Sequence, residues 1–281
     1  MFITFAEGSE KGGVMRDPAV SENYGKDDPF LLGKAQMLAE RLHAEVIKKT
    51  AEAGPGELIL TVSPEGLALT DGKLSLKGDF TTMLPRIRKS RWQHEMLVKA
   101  VRIRGAEGTV TVLDATAGMG EDAMLLAAAG FEVHLFERDP VIAVLLEDAL
   151  RRASSIPELE EITDRMHFHE GDSVKALSAR EIVPDVIYLD PMFPERKKSG
   201  LIKKKFQLLQ QLEHPCADEE ELLGAAINAK PRKIVVKRPA KGPYLADIRP
   251  DYSIGGKTIR YDCLVNITAD KYEASSGREI I

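Results

Sequence analysis

The stretch from Val110 to Gly130 constrains the fold more than any other part of the chain. A run with strong strand preference, Val110–Leu113, ends at Asp114 and is followed by a turn that contains Gly118 and Gly120. An apolar helical pattern begins directly afterwards. Strand, glycine turn and helix in this order form the first βα unit of a nucleotide-binding type of fold. Because glycine lets the backbone approach a ligand where a Cβ would intrude, the stretch predicts a ligand site.

The remainder of the chain alternates strand and helix patterns, which predicts a mostly parallel sheet with helices on both faces. An α/β domain is expected over residues 109–270, with a flexible tail at 271–281. The predicted strands cover residues 109–115, 132–136, 166–169, 185–190 and 233–237, and helices are expected after the glycine turn and at 140–154 and 173–179. An antiparallel hairpin around Gly255-Gly256 is expected to complete the sheet.

Residues 1–80 predict a small α+β accessory domain. Its expected elements are a strand at Met1–Phe5, a helix at Lys34–Ala53 that ends at Gly54-Pro55-Gly56, and short strands at 58–62, 66–70 and 73–76. The last two strands are expected to form a hairpin across Asp71-Gly72. Residues 81–108 form a connector rich in positive charge. Its cations either face solvent or contact phosphate beside the ligand site.

Charge and hydropathy argue against several classes of protein. The net charge of −5 argues against indiscriminate coating of nucleic acid, although it permits a local basic face. No apolar run approaches the roughly 18 residues of a membrane helix, and the first residues lack the pattern of a secretory signal. Cys216 and Cys263 are expected to be reduced thiols, and the histidines lack metal-ligand spacing. We therefore expect a cytoplasmic protein without a membrane segment or a metal.

The ligand of the glycine turn is indicated by the two residues that follow it. Gly118-x-Gly120-x-x-Ala123 also fits a dinucleotide fingerprint, in which a pyrophosphate binds at the helix N-terminus. Here Glu121 and Asp122 already occupy that positive end and would repel a diphosphate. S-adenosylmethionine has no phosphate and carries a sulfonium and an ammonium, so it suits a turn lined by carboxylates. Simple complementation of the helix dipole is the alternative explanation of these two acids.

Acidic side chains also follow the predicted strands. Asp114, Glu137, Asp172 and Asp190 each lie close to the end of one strand, where helix capping would explain one but less easily four. Because ligands of open α/β sheets bind at the carboxyl ends of the strands, we expect these side chains to surround the ligand. Glu137 has about the spacing of an acid that binds a ribose diol, and Asp172 with Ser173 would hold an adenine edge.

The five residues from Asp190 to Pro194 indicate the chemistry. Asp190-Pro191-Met192-Phe193-Pro194 resembles the [DN]PP[YF] element of methyltransferases that act on amines of planar rings. The lone pair of such an amine is delocalised, and acceptors on its N–H bonds can localise it and align it with the methyl group. Asp190 and a carbonyl near Pro191 would supply those acceptors, and Phe193 would stack on the base. The base must be unpaired or flipped out to reach this pocket.

Cations cluster around this element and favour a polyanionic substrate. Six follow it within ten residues, including Lys203, Lys204 and Lys205, and Lys237 and Arg238 end the next strand. Both segments are expected at the same edge of the sheet as Asp190, so we predict that these five cations bind RNA.

Together these motifs resemble the RsmJ family of small-subunit ribosomal RNA guanine 2-amino methyltransferases. The similarity covers roughly residues 79–265, and DPMFP with its trailing lysines is its most specific part. The resemblance implies a Rossmann-like class I methyltransferase fold and methyl transfer from S-adenosylmethionine to one guanine near the 3′ end of 16S rRNA, free or in the small ribosomal subunit. It places the cofactor at Glu121, Asp122, Glu137, Arg138, Asp172, Ser173 and Asp190, to which the turn itself adds Asp114, Gly118 and Gly120.

Two departures from the family pattern concern substrate docking. The connector reads IRKSRWQHEMLVKAV where the family shows a glycine-rich basic segment, and the N-terminal unit is longer than usual. Two other functions therefore stay open at this point. One is an amine methyltransferase for DNA adenine or a small molecule, and the other is an rRNA assembly factor that binds the cofactor without transfer.

Overall fold

The computed structural model describes residues 1–5, 28–48, 52–180, 182–191, 208, 212 and 219–265. A five-stranded sheet is formed by the N-terminal residues, in the strand order β2-β1-β3-β4-β5. Its elements are β1 (Phe2–Phe5), α1 (Pro29–Leu42), β2 (Glu45–Ile47), β3 (Ile59–Ser63), β4 (Gly66–Thr70) and β5 (Ser75–Leu76). Strand β1 is parallel to both of its neighbours, and β4 and β5 form the predicted hairpin.

The helix predicted at Lys34–Ala53 is wrong at both ends. It begins at Pro29, where the Asp28 carboxylate caps the first turn, and it ends at Leu42, because His43 takes a left-handed conformation. The apolar residues that suggested a longer helix pair with β1 instead: Val46 lies opposite Ile3. Pairing with a strand far away in sequence overrides the local helical spacing here.

The connector folds into short helices. A 3₁₀ turn at Phe80–Met83 is followed by α2 (Leu84–Ile87), α3 (Lys89–Trp92) and α4 (Met96–Val101). A break at residues 93–95 separates α3 from α4. Glu95 has an extended backbone at this break, and its carboxylate accepts two hydrogen bonds from Arg86 at 2.8 and 2.9 Å.

The larger sheet has seven strands, in the order β8-β7-β6-β9-β10-β12-β11. Its elements are β6 (Thr111–Asp114), α5 (Glu121–Ala128), β7 (Glu132–Glu137), α6 (Pro140–Ala153), α7 (Pro157–Thr163), β8 (Met166–Glu170), α8 (Ser173–Ala179), β9 (Val186–Leu189), α9 (Glu219–Asn228), β10 (Lys233–Pro239), β11 (Tyr252–Gly255) and β12 (Ile259–Val265). Helices α7 and α9 were not among the predicted elements. The five strands from β6 to β10 are parallel, and β12 is antiparallel to β10.

This topology confirms the predicted Rossmann-like α/β fold and locates its ligand edge. Strand β6 is central, with β7 on one side and β9 on the other, so the chain reverses its direction of winding beside β6. Ligands of such sheets bind at the carboxyl ends of the strands at this switch point. Asp114 and the residue after β9, Asp190, therefore share the ligand edge.

The N-terminal sheet packs on helix α6 of the larger sheet. Val141, Val144 and Leu145 of α6 belong to the same buried cluster as residues of β3 and β4. The buried Asp148 carboxylate adds polar links, because it accepts hydrogen bonds from the Leu67 N–H at 2.9 Å and from Lys34 at 3.1 Å. The boundary at residue 80 stays a prediction, and the predicted tail lies outside the described residues.

The described residues contain neither a membrane-spanning helix nor a cluster of metal ligands. None of their helices has the length and apolar character needed to cross a membrane. No three metal-ligating side chains among them are grouped so that they could hold a metal ion.

Candidate active site

The glycine turn between β6 and α5 has one open and one packed position. Gly118 and Gly120 have φ values of +53° and +76°, in the left-handed region that favours glycine. A Cβ on Gly120 would lie 2.7 Å from Cδ1 of Leu146, so this glycine is required for packing. A Cβ on Gly118 would meet no atom within 4 Å, so the backbone at Gly118 borders open space that a ligand can fill.

Glu137, at the end of β7, braces this turn through hydrogen bonds to its carboxylate. Its Oε2 accepts the Gly118 N–H at 2.9 Å and its Oε1 accepts the Asp139 N–H at 2.8 Å. The residue is 8% exposed, and burial raises the pKa of Glu137 even though these two hydrogen bonds oppose the change. Each carboxylate oxygen can accept a further hydrogen bond, so the predicted contact with a ribose diol is compatible with this bracing. Arg138 is exposed beside it.

The other predicted cofactor residues differ in their contacts and burial. Asp172 accepts the Val174 N–H at 2.9 Å and caps α8, so the capping explanation holds for this acid. The buried Ser173 hydroxyl donates to the Ala115 carbonyl at 2.9 Å, which ties α8 to the end of β6. Asp114 is 1% exposed, and burial raises its pKa to about 8. Burial therefore favours the neutral form of its carboxyl group.

The two acids after the glycines have separate environments. Glu121 is exposed at the first position of α5. Asp122 points toward the strand ends, where its Oδ2 accepts hydrogen bonds from the Tyr188 hydroxyl and from Lys237 Nζ, each at 2.7 Å. Burial alone would raise the pKa of Asp122, but Lys237 and Tyr188 lower it below its ordinary value. Asp122 is therefore an anion paired with a cation.

Lys237 joins this anion to the predicted catalytic acid. Its Nζ lies 2.7 Å from Asp122 Oδ2 and 2.8 Å from Asp190 Oδ2, and the two carboxylates raise its pKa despite burial. The Asp190 N–H donates to the Thr116 hydroxyl at 2.7 Å, and Pro191 is buried directly after it. Asp190 is thus held at its backbone and at one carboxylate oxygen. Its Oδ1 accepts no hydrogen bond from the described residues.

Burial and Lys237 act in opposite directions on Asp190. Partial burial raises the pKa of its carboxyl group, Lys237 lowers it, and the neighbouring Asp122 raises it again, with a net increase. The side chain keeps 35% of its surface exposed. One oxygen is therefore fixed inside the protein while the group remains accessible to a substrate.

The prediction that Arg238 contacts RNA needs correction. Its side chain is 0% exposed, and its guanidinium donates to the Pro243 carbonyl at 2.9 Å and to Glu219 at 3.1 Å. Lys237 also points into the site rather than onto an outer surface. Successive residues of a strand face opposite sides of the sheet, so one charged dipeptide cannot present both side chains to the same partner. Phe193 and Lys203–Lys205 lie outside the described residues.

Sequence reasoning missed two members of the site, Tyr188 and Thr116. A usable signal existed for the first, because residues 188 and 190 of one strand face the same side of the sheet. The position of Lys237 beside Asp190 follows from the strand register, which the residue pattern does not specify. Leu189 lies opposite Val236 on β10, which places Asp190 next to Lys237. The Thr116 contact depends on the turn geometry and has no comparable signal.

The fold and the residues at the ligand edge of the sheet define a class I methyltransferase. A family model of SAM-dependent methyltransferases matches residues 40–266. A crystal structure of a SAM-dependent methyltransferase from Neisseria gonorrhoeae is similar over 97% of this chain and 98% of its own, with a TM-score of 0.68 and 27% identity. S-adenosylmethionine is accordingly the cofactor. The site fits it, because Gly118 borders open space and the two carboxylates of Asp122 and Asp190 outnumber the single cation of Lys237 that lies between them.

Curated relatives narrow the family further. Ribosomal RNA small subunit methyltransferase J of Thioalkalivibrio sulfidiphilus is 40% identical over 257 residues, which cover 89% of this chain and 99% of the relative. The protein of the same name from Aeromonas salmonicida is 37% identical over 246 residues, which cover 85% and 95%. The chain belongs to the ribosomal RNA small subunit methyltransferase J family.

Proposed function

We propose that this chain transfers a methyl group from S-adenosylmethionine to the exocyclic 2-amino group of a guanine in small-subunit (16S) ribosomal RNA. The names of the relatives support the rRNA substrate, and the resemblance of residues 190–194 to the amine-methylating element supports the amine. The observation that carries the proposal is the position of Asp190. Its backbone N–H and one carboxylate oxygen are fixed at the ligand edge of the sheet, and its other oxygen accepts no hydrogen bond from the described residues.

The cofactor would be held by the backbone at Gly118, by Glu137 and by the residues around Asp172 and Ser173. When bound, S-adenosylmethionine supplies an electrophilic methyl group on a sulfonium. The chain orients the nucleophile. Asp190 Oδ1 accepts an N–H of the guanine amine, which localises the nitrogen lone pair, and Pro191 fixes the direction of the following backbone because its ring restricts φ.

Lys237 acts as a positioning residue in this scheme. It holds Asp190 Oδ2 and thereby turns Oδ1 toward the substrate, and it keeps the carboxylate ionised next to Asp122. The same Oδ1 is placed to accept the proton that the amine releases on methylation. The raised pKa of Asp190 suits this proton transfer, because an acceptor with a pKa closer to neutrality holds the proton better.

The test is methyl transfer from radiolabelled S-adenosylmethionine to naked 16S rRNA, isolated small subunits, DNA oligonucleotides and free nucleosides. We expect label in rRNA or subunits, as N2-methylguanosine when the product is digested. Label only in DNA or in a small amine would support a different amine methyltransferase. Cofactor binding without label in any substrate would support an assembly factor that lacks transfer activity.

Substitutions of Asp190 test the role of its carboxylate. Asp190→Ala removes the acceptor, and we expect kcat to fall by about 10²–10³, as for loss of a preorganised polar group in other active sites. Asp190→Asn keeps an acceptor oxygen and should retain more activity than Asp190→Ala. Cofactor affinity, measured by calorimetry, should stay within a few-fold for both. Full turnover by Asp190→Ala would contradict the proposed role.

A further inference from the structure

A cavity in the connector has a composition suited to RNA. It has a volume of about 630 Å³, within the range of about 300–1,000 Å³ that is typical of ligand sites. Its wall consists of Pro85, Arg86, Arg91, His94, Glu95 and Met96. Three of these six side chains are basic and one is acidic.

The cavity lies at the ligand edge of the sheet. Met96 packs against Gly256, where a Cβ would lie 2.9 Å from the methionine Cε. Gly256 follows the end of β11 in the turn that leads to β12, and Arg260 of β12 lies opposite Arg238, near the carboxyl end of β10. This is the edge at which Lys237 and Asp190 meet. The opposite end of the connector lies at the other edge, where Lys233 at the start of β10 donates to the Ala100 carbonyl at 2.8 Å.

Arg86 connects the cavity with the active site. Its guanidinium forms a bidentate pair with Glu95 in the cavity wall. The pKa of Arg86 is raised first by this pair, against the effect of burial, and further by the negative charge of Asp122. The cavity wall is thus close enough to the Asp122–Lys237–Asp190 cluster for the two to interact electrostatically. Helix α2 also contacts α5, the helix that carries Asp122.

Two of the basic side chains are available to a ligand. Glu95 neutralises Arg86, whereas neither Arg91 nor His94 has an ion-pair partner among the described residues, and both are exposed. An exposed guanidinium beside a wall of proline and methionine can bind a phosphate while the apolar part contacts a sugar or base.

We propose that this cavity binds the ribose-phosphate of a nucleotide that neighbours the target guanine, with Arg91 on the phosphate. The inference rests on the proposed function, because it assumes an RNA whose target base reaches Asp190. A base flipped into the active site leaves its neighbours at the rim, where they need separate contacts. A phosphate contact there positions the strand and carries no sequence information.

The experiment compares Arg91→Ala with Arg104→Ala. Arg104 is an exposed arginine of the same connector that lies near Tyr252, at the start of β11 and thus at the opposite edge of the sheet. Filter binding at several salt concentrations measures the affinity for an unmethylated 16S rRNA fragment that contains the target guanine. The full chain is saturated with S-adenosylhomocysteine, whose affinity for each variant also reports whether the site is intact.

We expect Arg91→Ala to weaken RNA binding about five- to tenfold and to reduce the salt dependence by about one phosphate contact. KM for RNA should rise while kcat changes little, and Arg104→Ala should resemble the wild type. His94→Ala should weaken binding less than Arg91→Ala, because an imidazole lacks the planar fork of donors with which a guanidinium binds phosphate.

Each contrary result has a separate meaning. If the wild-type chain methylates rRNA and Arg91→Ala binds the fragment with unchanged affinity and salt dependence, the cavity assignment is wrong and the proposed function stands. If Arg91→Ala binds the fragment normally but loses activity on assembled subunits alone, the cavity receives a ribosomal protein, and the RNA assignment is again wrong. If the wild-type chain methylates no rRNA, the proposed function itself fails.

Discussion

Replacement of Lys237 by methionine tests how the charges at the active site are controlled. Methionine keeps much of the length of the lysine side chain and fills the same apolar space, so the main change is loss of the cation. Nζ lies 2.7 Å from Asp122 Oδ2 and 2.8 Å from Asp190 Oδ2, so the two oxygens are no more than 5.5 Å apart. Without Lys237 the two carboxylates repel each other across this distance.

The size of the repulsion follows from Coulomb's law. Two unit charges about 5 Å apart interact by about 3 kcal/mol at an effective dielectric constant of about 20. Asp190 is 35% exposed, so water screens part of this energy. We therefore halve this energy to allow for screening. Since each 1.36 kcal/mol equals a factor of ten, the remaining repulsion corresponds to roughly a tenfold increase in the proton affinity of the two carboxylates.

The direction of the change is set by the role of Asp190. Burial already raises its pKa and Lys237 opposes that increase, so removal of Lys237 raises the pKa of Asp190 further. The proposed acceptor must be ionised, and its ionised fraction is lost as the pH falls. The acidic limb of the kcat/KM profile for rRNA methylation should therefore move to higher pH in Lys237→Met, with activity partly recovered in alkaline buffer.

The assay is the pH dependence of kcat/KM, with two control variants. Lys237→Arg retains a cation and should keep the acidic limb near its wild-type position. Lys237→Met combined with Asp122→Asn removes the repelling charge as well, and the limb should return toward lower pH. An acidic limb that stays in place in Lys237→Met, or that the second substitution does not move back, would refute this account of the cluster.

Three further predictions concern the glycine turn and two buried acids. Gly118→Ala should weaken cofactor binding at least tenfold and reduce stability by only about 1 kcal/mol, whereas Gly105→Ala, also left-handed and open, should leave affinity unchanged in calorimetry. Asp148→Asn should lower the free energy of unfolding in urea by about 2–4 kcal/mol at neutral pH. That difference should shrink in acid, because the lowered pKa of Asp148 stabilises the fold above about pH 4 and this contribution is lost as the pH falls through the folded-state value. Burial raises the pKa of Asp114 to about 8, so stability should decrease as the pH rises from about 4 through 8, and Asp114→Asn should lessen this decrease in thermal unfolding.

The sheet was predictable because its strands carry local signals. Short runs of apolar and aromatic residues bounded by turn residues correctly located β6, β7, β8, β9 and β10. The end of the N-terminal helix was not predictable in this way. Val46 and Ile47 fit a helical face equally well, and they form a strand only because they pair with β1. Local spacing contains no information about a partner more than forty residues away.

The candidate site shows the same division between local and long-range information. The position of Asp190 at the ligand edge followed from the alternation of strands and helices, and the acidic residues could be placed there in the same way. What each acid does depends on its contacts: Asp172 caps a helix, whereas Asp122 is neutralised by Lys237. Those contacts are set by strand register and turn geometry, which the residue pattern does not specify.

The cations of β10 show how such a register changes a functional interpretation. A basic dipeptide at the end of a strand near an active site suggests a surface for RNA, but Arg238 is buried against Glu219 and Lys237 is fixed between two carboxylates. A lysine that lies next to an acid on the neighbouring parallel strand forms an ion pair inside the fold, and its charge is neutralised there. Arg91, in contrast, has no acidic partner among the described residues and lines an open cavity at the same edge. The cations that bind RNA should therefore be those without an acidic partner in the described residues. Two variants distinguish the two kinds of cation. Arg91→Ala should raise KM for RNA, and Lys237→Met should shift the pH dependence of methylation.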